Sequence, residues 1–467
     1  MKIFPIPKSI AYSDKRVELR DAEYINDDAL EKEEYIIRIE SSGTKIITSG
    51  KEGRFYAEQT LRQIKEQEVT ACVIHDKPKY EYRGFMLDSV RHFIEVGEIK
   101  KLIDAMAFMK LNKFHWHLTD DQGWRIESEV YPQLNAASVR KYSDFGRSFD
   151  NNAYGGIYTK DEIKDVIAYC EERCIEVIPE FDIPGHTSAL LFAFPELSCS
   201  GEAVEVKTHQ GIFKDVLCPA KDKTLEVILN IYGEICELFT SDYIHIGGDE
   251  APSNHWESCE DCKRKMSELG ITSFKEYQNS LMNAVIGALS EKGKTCIVWN
   301  DAAEGKNLDS RAVVQYWKEN DKATFDFANR GGKLILSPFT YYYTDYGYDI
   351  TPLNRTVSFN PELKEISSDS VIGVEVPIWT EYISDSETLE KMLFPRAAAV
   401  ANTAWSGATE YKRFLMSFGT CRKMLEKSGI RFADVWLWKN KRAAMPLGWL
   451  RFVKNNYSLN YIKEQLK

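Results

Sequence analysis

From Glu81 onward the chain alternates short, mostly apolar runs with longer stretches whose apolar residues recur at helical period, the pattern of βα units around a parallel sheet. Ile99, Leu102, Ile103, Met106 and Met109 share one helical face and lead at once into the strand-like Phe114-His115-Trp116-His117-Leu118. Thr159 and Glu162 make a capping box ahead of Ile163, Val166, Ile167 and Cys170, and Val177-Ile178-Pro179-Glu180-Phe181 follows. Leu225, Ile228, Ile231, Ile235 and Leu238 precede Tyr243–Ile246 in the same way, and Phe274, Leu281, Val285 and Leu289 precede Thr295–Trp299. The strand candidates are Tyr82–Asp88, Lys113–Leu118, Glu176–Phe181, Tyr243–Gly247, Thr295–Trp299, Ala312–Tyr316, Lys333–Ser337 and Ala399–Trp405, eight in all, which closes a (β/α)8 TIM barrel. A doubly wound open sheet is the competing arrangement, but no Gly-rich phosphate turn follows any of these strands.

Upstream, an extended run around Tyr35-Ile36-Ile37, a helical stretch with Phe55, Leu61 and Ile64, and the strand-like Ala71-Cys72-Val73-Ile74 make a small unit. The expected α/β architecture is therefore a small N-terminal α/β domain over residues 1–80 and a catalytic (β/α)8 barrel with C-terminal helices over 81–467. A chain of 467 residues with 43% hydrophobic content can fill both cores. A net charge of -11 argues against nucleic acid or an anionic membrane as partner. The start, Met1-Lys2-Ile3-Phe4-Pro5-Ile6-Pro7, lacks the apolar core of a secretory signal, and no run approaches membrane-spanning length, so the expected location is cytoplasmic. Most of the ten cysteines fall in apolar-periodic segments. Cys259-Glu260-Asp261-Cys262 is half a metal site without a second pair at zinc spacing; it reads as reduced surface thiols, and neither metal nor cofactor is expected.

In a barrel the C-terminal strand ends build the active site. Here those ends carry Asp88 and Arg91, His117 with Asp120 and Asp121, Asp182 and His186, Asp249 and Glu250, Trp299 and Asp301, Trp317, Tyr343 and Asp345, and Trp379-Thr380-Glu381. Asp249 and Glu250 would point to opposite faces of a continuing strand, but after Gly247-Gly248 the backbone can turn and bring both to one cavity. A lone Asp-Glu pair is usually a solvated loop; the Gly-Gly turn at a strand end favours function. A catalytic acid must keep its proton near neutral pH, and a neighbouring carboxylate or an apolar wall serves that end. Trp299, Trp317, Trp379 and Trp405 could be ordinary core, yet Trp at successive strand ends among Asp, Glu, Arg and Tyr suits a sugar, with CH faces on rings and hydroxyls on charged groups. His115 and His117 are expected to hydrogen-bond inside the barrel, with a metal as the alternative reading. Asp182 and His186 form a candidate pair that orients Glu250.

The stretches Arg83–Phe93, His115–Arg125, Pro179–His186 and His245–Glu250, with Trp379-Thr380-Glu381 and the upstream Glu52–Leu61, resemble family 20 of the glycoside hydrolases, the β-N-acetylhexosaminidases. The resemblance implies a retaining exo-enzyme for terminal N-acetylglucosamine or N-acetylgalactosamine, in which the substrate's own acetamide attacks the anomeric carbon to give an oxazolinium. It assigns Glu250 as general acid/base and Asp249 as the residue orienting the acetamide. It puts Tyr343 on the acetamide oxygen, Trp299, Trp317 and Trp379 around its methyl group, and Arg91, Glu381 and Asp345 on the sugar's outer hydroxyls. Asp182 and His186 would tune Glu250. The loop Tyr341-Tyr342-Tyr343-Thr344-Asp345 departs from the family's usual Tyr-Leu-Asp, so the choice of Tyr343 rests on its spacing to Asp345. The implied partner is a small oligosaccharide or glycoconjugate ending in a β-linked N-acetylhexosamine. A same-family enzyme releasing a disaccharide such as lacto-N-biose, and a non-catalytic carbohydrate-binding barrel, are the alternatives.

Overall fold

A computed structural model describes residues 1–65, 67–140, 154–383 and 385–438. The expected C-terminal helices beyond residue 438 lie outside the described residues. Strands β1 (Ser9–Arg16), β2 (Ala22–Asn26), β3 (Tyr35–Glu40), β4 (Gly43–Thr48) and β5 (Thr70–Asp76) form a sheet in the order β1-β5-β3-β4-β2. The period-two pattern of β3 buries Tyr35, Ile37 and Ile39 and turns Arg38 and Glu40 outward. Helix Lys51–Lys65 lays Tyr56, Ala57, Leu61 and Ile64 on that apolar face.

The barrel strands are β6 (Tyr82–Asp88), β7 (Lys113–His117), β8 (Glu176–Glu180), β9 (Tyr243–His245), β10 (Thr295–Trp299), β11 (Val313–Tyr316), β12 (Lys333–Leu336) and β13 (Val371–Ile378). All eight pair in parallel with their sequence neighbours, and β13 closes on β6. The last expected strand, Ala399–Trp405, is instead part of helix Arg396–Ser406. This helix is buried from Arg396 to Trp405, so it shows no amphipathic period, and its alanines favour helix. The true eighth strand was masked by Gly373, Glu375 and Pro377, which interrupt its apolar run. Gly373 is required there: a Cβ would sit 1.9 Å from the Tyr82 carbonyl oxygen.

Inward-facing side chains stack in layers. Tyr82, Ile178, Ile297, Val313 and Ile335 form an apolar plug at the N-terminal end. Above it lies a polar layer centred on Glu180 and Glu375. Glu180 Oε1 accepts from Trp299 Nε1 (2.8 Å) and faces His245 Nδ1 (3.0 Å), while its Oε2 meets His115 Nε2 (3.1 Å) and His117 Nδ1. Glu375 meets His115 Nδ1 (3.0 Å), Tyr82 (2.6 Å) and Gln315 (2.6 Å). Burial alone would neutralise His115 and His117, but these carboxylates raise them to about 9 and about 10. Among the described residues no helix is long and apolar enough to cross a membrane.

The two domains share a buried seam. Trp405 belongs to the N-terminal core and donates its Nε1 to Asp76 at 2.9 Å, so it is a domain anchor and not part of the expected tryptophan cluster at the strand ends. Arg83 grips Glu33 through both terminal nitrogens at 2.8 and 2.7 Å.

Candidate active site

The polar layer leads upward into a cavity of about 230 Å³ lined by Arg91, His186, Asp249, Glu250, Trp317, Tyr343, Asp345, Trp379 and Glu381, among others. A larger hollow of about 560 Å³, between helix Lys51–Lys65 and the outer barrel helices, lies away from every one of these residues.

The turn after β9 shows why the chain spends two glycines there. Gly247 and Gly248 adopt φ of 68° and 101°, and a Cβ on Gly247 would fall 1.5 Å from Asp182 Oδ1. Glu250 itself has φ 44°, a conformation a non-glycine residue holds only at a cost. Asp182 Oδ1 accepts the Gly248 N–H at 3.0 Å. Asp182 is thus a backbone clamp for the turn; it neither lines the cavity nor bonds His186 as the sequence suggested.

His186 is paired with other acids. Its Nδ1 faces Asp120 Oδ1 at 3.2 Å and Asp121 Oδ2 at 3.3 Å, and its Nε2 lies 3.7 Å from both Asp249 Oδ2 and Glu250 Oε2. Burial opposes its charge, yet Asp120 and Asp249 hold it protonated well above the usual histidine range. Asp249 is driven toward its neutral form instead: burial, against the pull of His186, pushes it up to about 7. Its Oδ1 is buried with no hydrogen-bond partner among the described residues.

Around this pair, Trp317 stacks on Tyr343 with centroids 6.1 Å apart, and Tyr343 packs against Trp379 at 6.3 Å. Tyr341 and Tyr342 both pack on Phe359, at 5.1 and 5.0 Å, which leaves Tyr343 as the tyrosine of that run facing the cavity. Trp299, expected as a wall, sits behind one: it is buried under Trp379 at 5.9 Å and tied down to Glu180. Arg91 bridges Asp120 (2.6 Å), Asp88 (3.5 Å) and Gln122 (2.9 Å) beneath the Trp379 ring. Burial first, then like charge, raises Asp345 to about 8; burial raises Glu381 to about 7 although Arg91 opposes it.

Residues 80–408 match the model of the glycosyl hydrolase family 20 catalytic domain, and residues 5–77 match that family's domain 2. The chain belongs to glycosyl hydrolase family 20. It is 35% identical over 404 residues to a β-hexosaminidase of Porphyromonas gingivalis, covering 81% of this chain and 51% of that protein, so it spans about half of that relative's length. A β-hexosaminidase of Akkermansia muciniphila is 32% identical, with 85% of each chain covered. The crystal structure of an exo β-N-acetylglucosaminidase from Vibrio harveyi, in complex with N-acetylglucosamine, superposes with a TM-score of 0.81 at 28% identity, covering 94% of this chain and 80% of that one. Membership places the chain among the glycoside hydrolases, and its Porphyromonas and Akkermansia relatives are β-hexosaminidases.

Three positions of this family 20 hydrolase were noticed in the sequence without a role. Asp301 accepts from Trp317 Nε1 (3.0 Å), from the Glu250 N–H (3.3 Å) and from Lys318 Nζ (2.5 Å), so one carboxylate positions both a wall and the acidic loop. Asp120 and Asp121 orient His186, and the Asp121 Oδ1 also accepts from Ser188. Their signal was position alone: each lies just past a strand end. Gln210–Ile212 and Tyr382 complete the rim and carried no signal, because loop residues approach a site only through the fold.

Proposed function

We propose that the protein is a retaining exo-β-N-acetylhexosaminidase that removes terminal N-acetylglucosamine or N-acetylgalactosamine with the substrate's acetamide as nucleophile. The carrying observation is Asp249: a buried carboxylate at the cavity wall with an oxygen unbonded among the described residues, next in sequence to Glu250. A carboxylate so placed accepts the acetamide N–H and turns the acetamide oxygen toward C1. As that oxygen attacks, Glu250 delivers a proton to the departing glycosidic oxygen; Asp249 offsets the positive charge growing on the oxazolinium, an interaction strongest in the transition state. Glu250 then takes a proton from the water that opens the ring, and two inversions at C1 give retention. Tyr343 donates to the acetamide oxygen, and the rings of Trp317, Trp379 and Tyr343 at the cavity wall support a reading in which they receive its methyl group. Arg91, Asp345 and Glu381 offer charged partners for the sugar's outer hydroxyls.

A cavity of about 230 Å³ lies below the roughly 300–1,000 Å³ of drug-sized pockets, which favours a single sugar and an exo mode. The test compares 4-nitrophenyl N-acetyl-β-glucosaminide with 4-nitrophenyl β-lacto-N-bioside. Cleavage of the first and not the second is expected; preferential release of the disaccharide would make this the disaccharide-releasing variant, and cleavage of neither a binding protein.

A further inference from the structure

Cys259 and Cys262 are one half of a cluster whose other half comes from a distant loop. Cys199 and Cys218 join them, and the four sulfur atoms all lie within 4.8 Å of one another. Cys262 Sγ is 3.8 Å from Cys199 Sγ and 3.5 Å from Cys218 Sγ. A tetrahedral ion with metal–sulfur bonds of about 2.3 Å sets its sulfurs about 3.8 Å apart. A disulfide needs about 2.05 Å. From this four-thiol arrangement, which departs from the reading of Cys259 and Cys262 as surface thiols, we infer a structural Zn²⁺ site bound by Cys199, Cys218, Cys259 and Cys262.

The surroundings fit a closed, non-catalytic centre. Val216, Trp256, Met266 and Tyr277 pack around the cluster in a small core separate from the main one, with Cys218 and Cys262 buried and Cys199 and Cys259 half-buried. Cys259 stands at the N-cap position of helix Glu260–Leu269 and Cys262 lies in its first turn, where the unbonded N–H groups favour thiolate. The spacing of 18 residues between Cys199 and Cys218 concealed the second pair, since only the fold brings it to the Cys259-x2-Cys262 knuckle.

The site joins two segments of the active-site rim. The loop from Cys199 to Cys218 contains Gln210, Gly211 and Ile212, which face the cavity, and Cys259 follows Glu250 by nine residues. Zinc there fastens the rim to the loop carrying the acid pair without touching substrate.

Metal analysis of the full chain, purified without a nickel or cobalt column, decides the matter. Inductively coupled plasma mass spectrometry should find about one zinc per chain, released stoichiometrically when a mercurial titrates the thiols, as read by a chromogenic chelator. Cys259→Ser/Cys262→Ser should lose the zinc, and zinc should raise the wild-type Tm after chelator stripping. Four alkylatable thiols with no bound metal would overturn the inference, as would two disulfides by mass, or iron with its charge-transfer absorption in place of zinc.

Discussion

Glu180 and Asp249 stand at the ends of adjacent barrel strands and are both buried, yet their surroundings drive them in opposite directions. Every oxygen of Glu180 is taken by His115, His117, His245 or Trp299, and these partners hold it ionised well below the usual range despite burial. Asp249 has one protonated neighbour at 3.7 Å and an oxygen left without a bond among the described residues, and burial raises it to about 7. Asp345 repeats the pattern, with a bare Oδ1 and a value of about 8. Burial alone therefore does not set the direction; the partners each carboxylate has do, and at the cavity Asp249 and Asp345 each keep an oxygen without one among the described residues. The lower layer has its carboxylate acceptors filled by His and Trp nitrogens, and the upper one leaves acceptor oxygens open toward the cavity.

The largest expected effect separates the layers by function. Glu250→Gln should lower kcat/KM by about 10²- to 10⁴-fold while leaving the urea midpoint unchanged, since its side chain is 28% exposed. Near-wild-type turnover would move the acid elsewhere on the rim. Glu180→Gln should instead cost about 3–5 kcal/mol of stability in urea unfolding, because it strands buried imidazolium groups. A neutral result there would mean that the polar layer is not the barrel's internal support. Asp249→Asn comes next: a fall in kcat of about 10²- to 10³-fold with stability unchanged or higher, because a charge the fold disfavours is removed.

The smallest effect is in pH. Asp249, Glu381 and Asp345 take up protons more readily folded than unfolded, so stability declines as pH rises from about 4 through their values of about 7, 7 and 8. His115 and His117 contribute fully below about 6.5, and that contribution is lost as pH rises through about 9 and 10. Glu180 and Glu375 are lowered, so theirs is present above about 4.5 and lost on acidification. An Asp249→Asn/Asp345→Asn variant should show a flatter decline in Tm between about pH 5 and 8 with the acid limb unmoved. An altered acid limb would show that the two layers titrate together.

The barrel was legible because its strands are short apolar runs between amphipathic helices, and it failed to be legible where a strand carries the polar layer. Glu375 faces inward and breaks the apolar run of β13, whereas the alanine-rich Arg396–Ser406 imitates a buried strand while being a buried helix. In the site, Asp249, Glu250 and His186 could be read from a Gly-Gly turn and a strand-end position. Partnership could not: Asp182 clamps Gly248 and His186 turns to Asp120 and Asp121, which no spacing along the chain reveals. Trp299 and Trp405 were the right residue type in the wrong layer, one under the pocket wall and one in the domain seam.

The most direct test of an acetamide nucleophile steered by Asp249 compares wild-type hydrolysis of 4-nitrophenyl N-acetyl-β-glucosaminide with that of the plain 4-nitrophenyl β-glucoside. The acetamido substrate should be cleaved and the glucoside left essentially untouched. Equal cleavage of both would contradict the account, because the nucleophile would then have to come from the protein or from water.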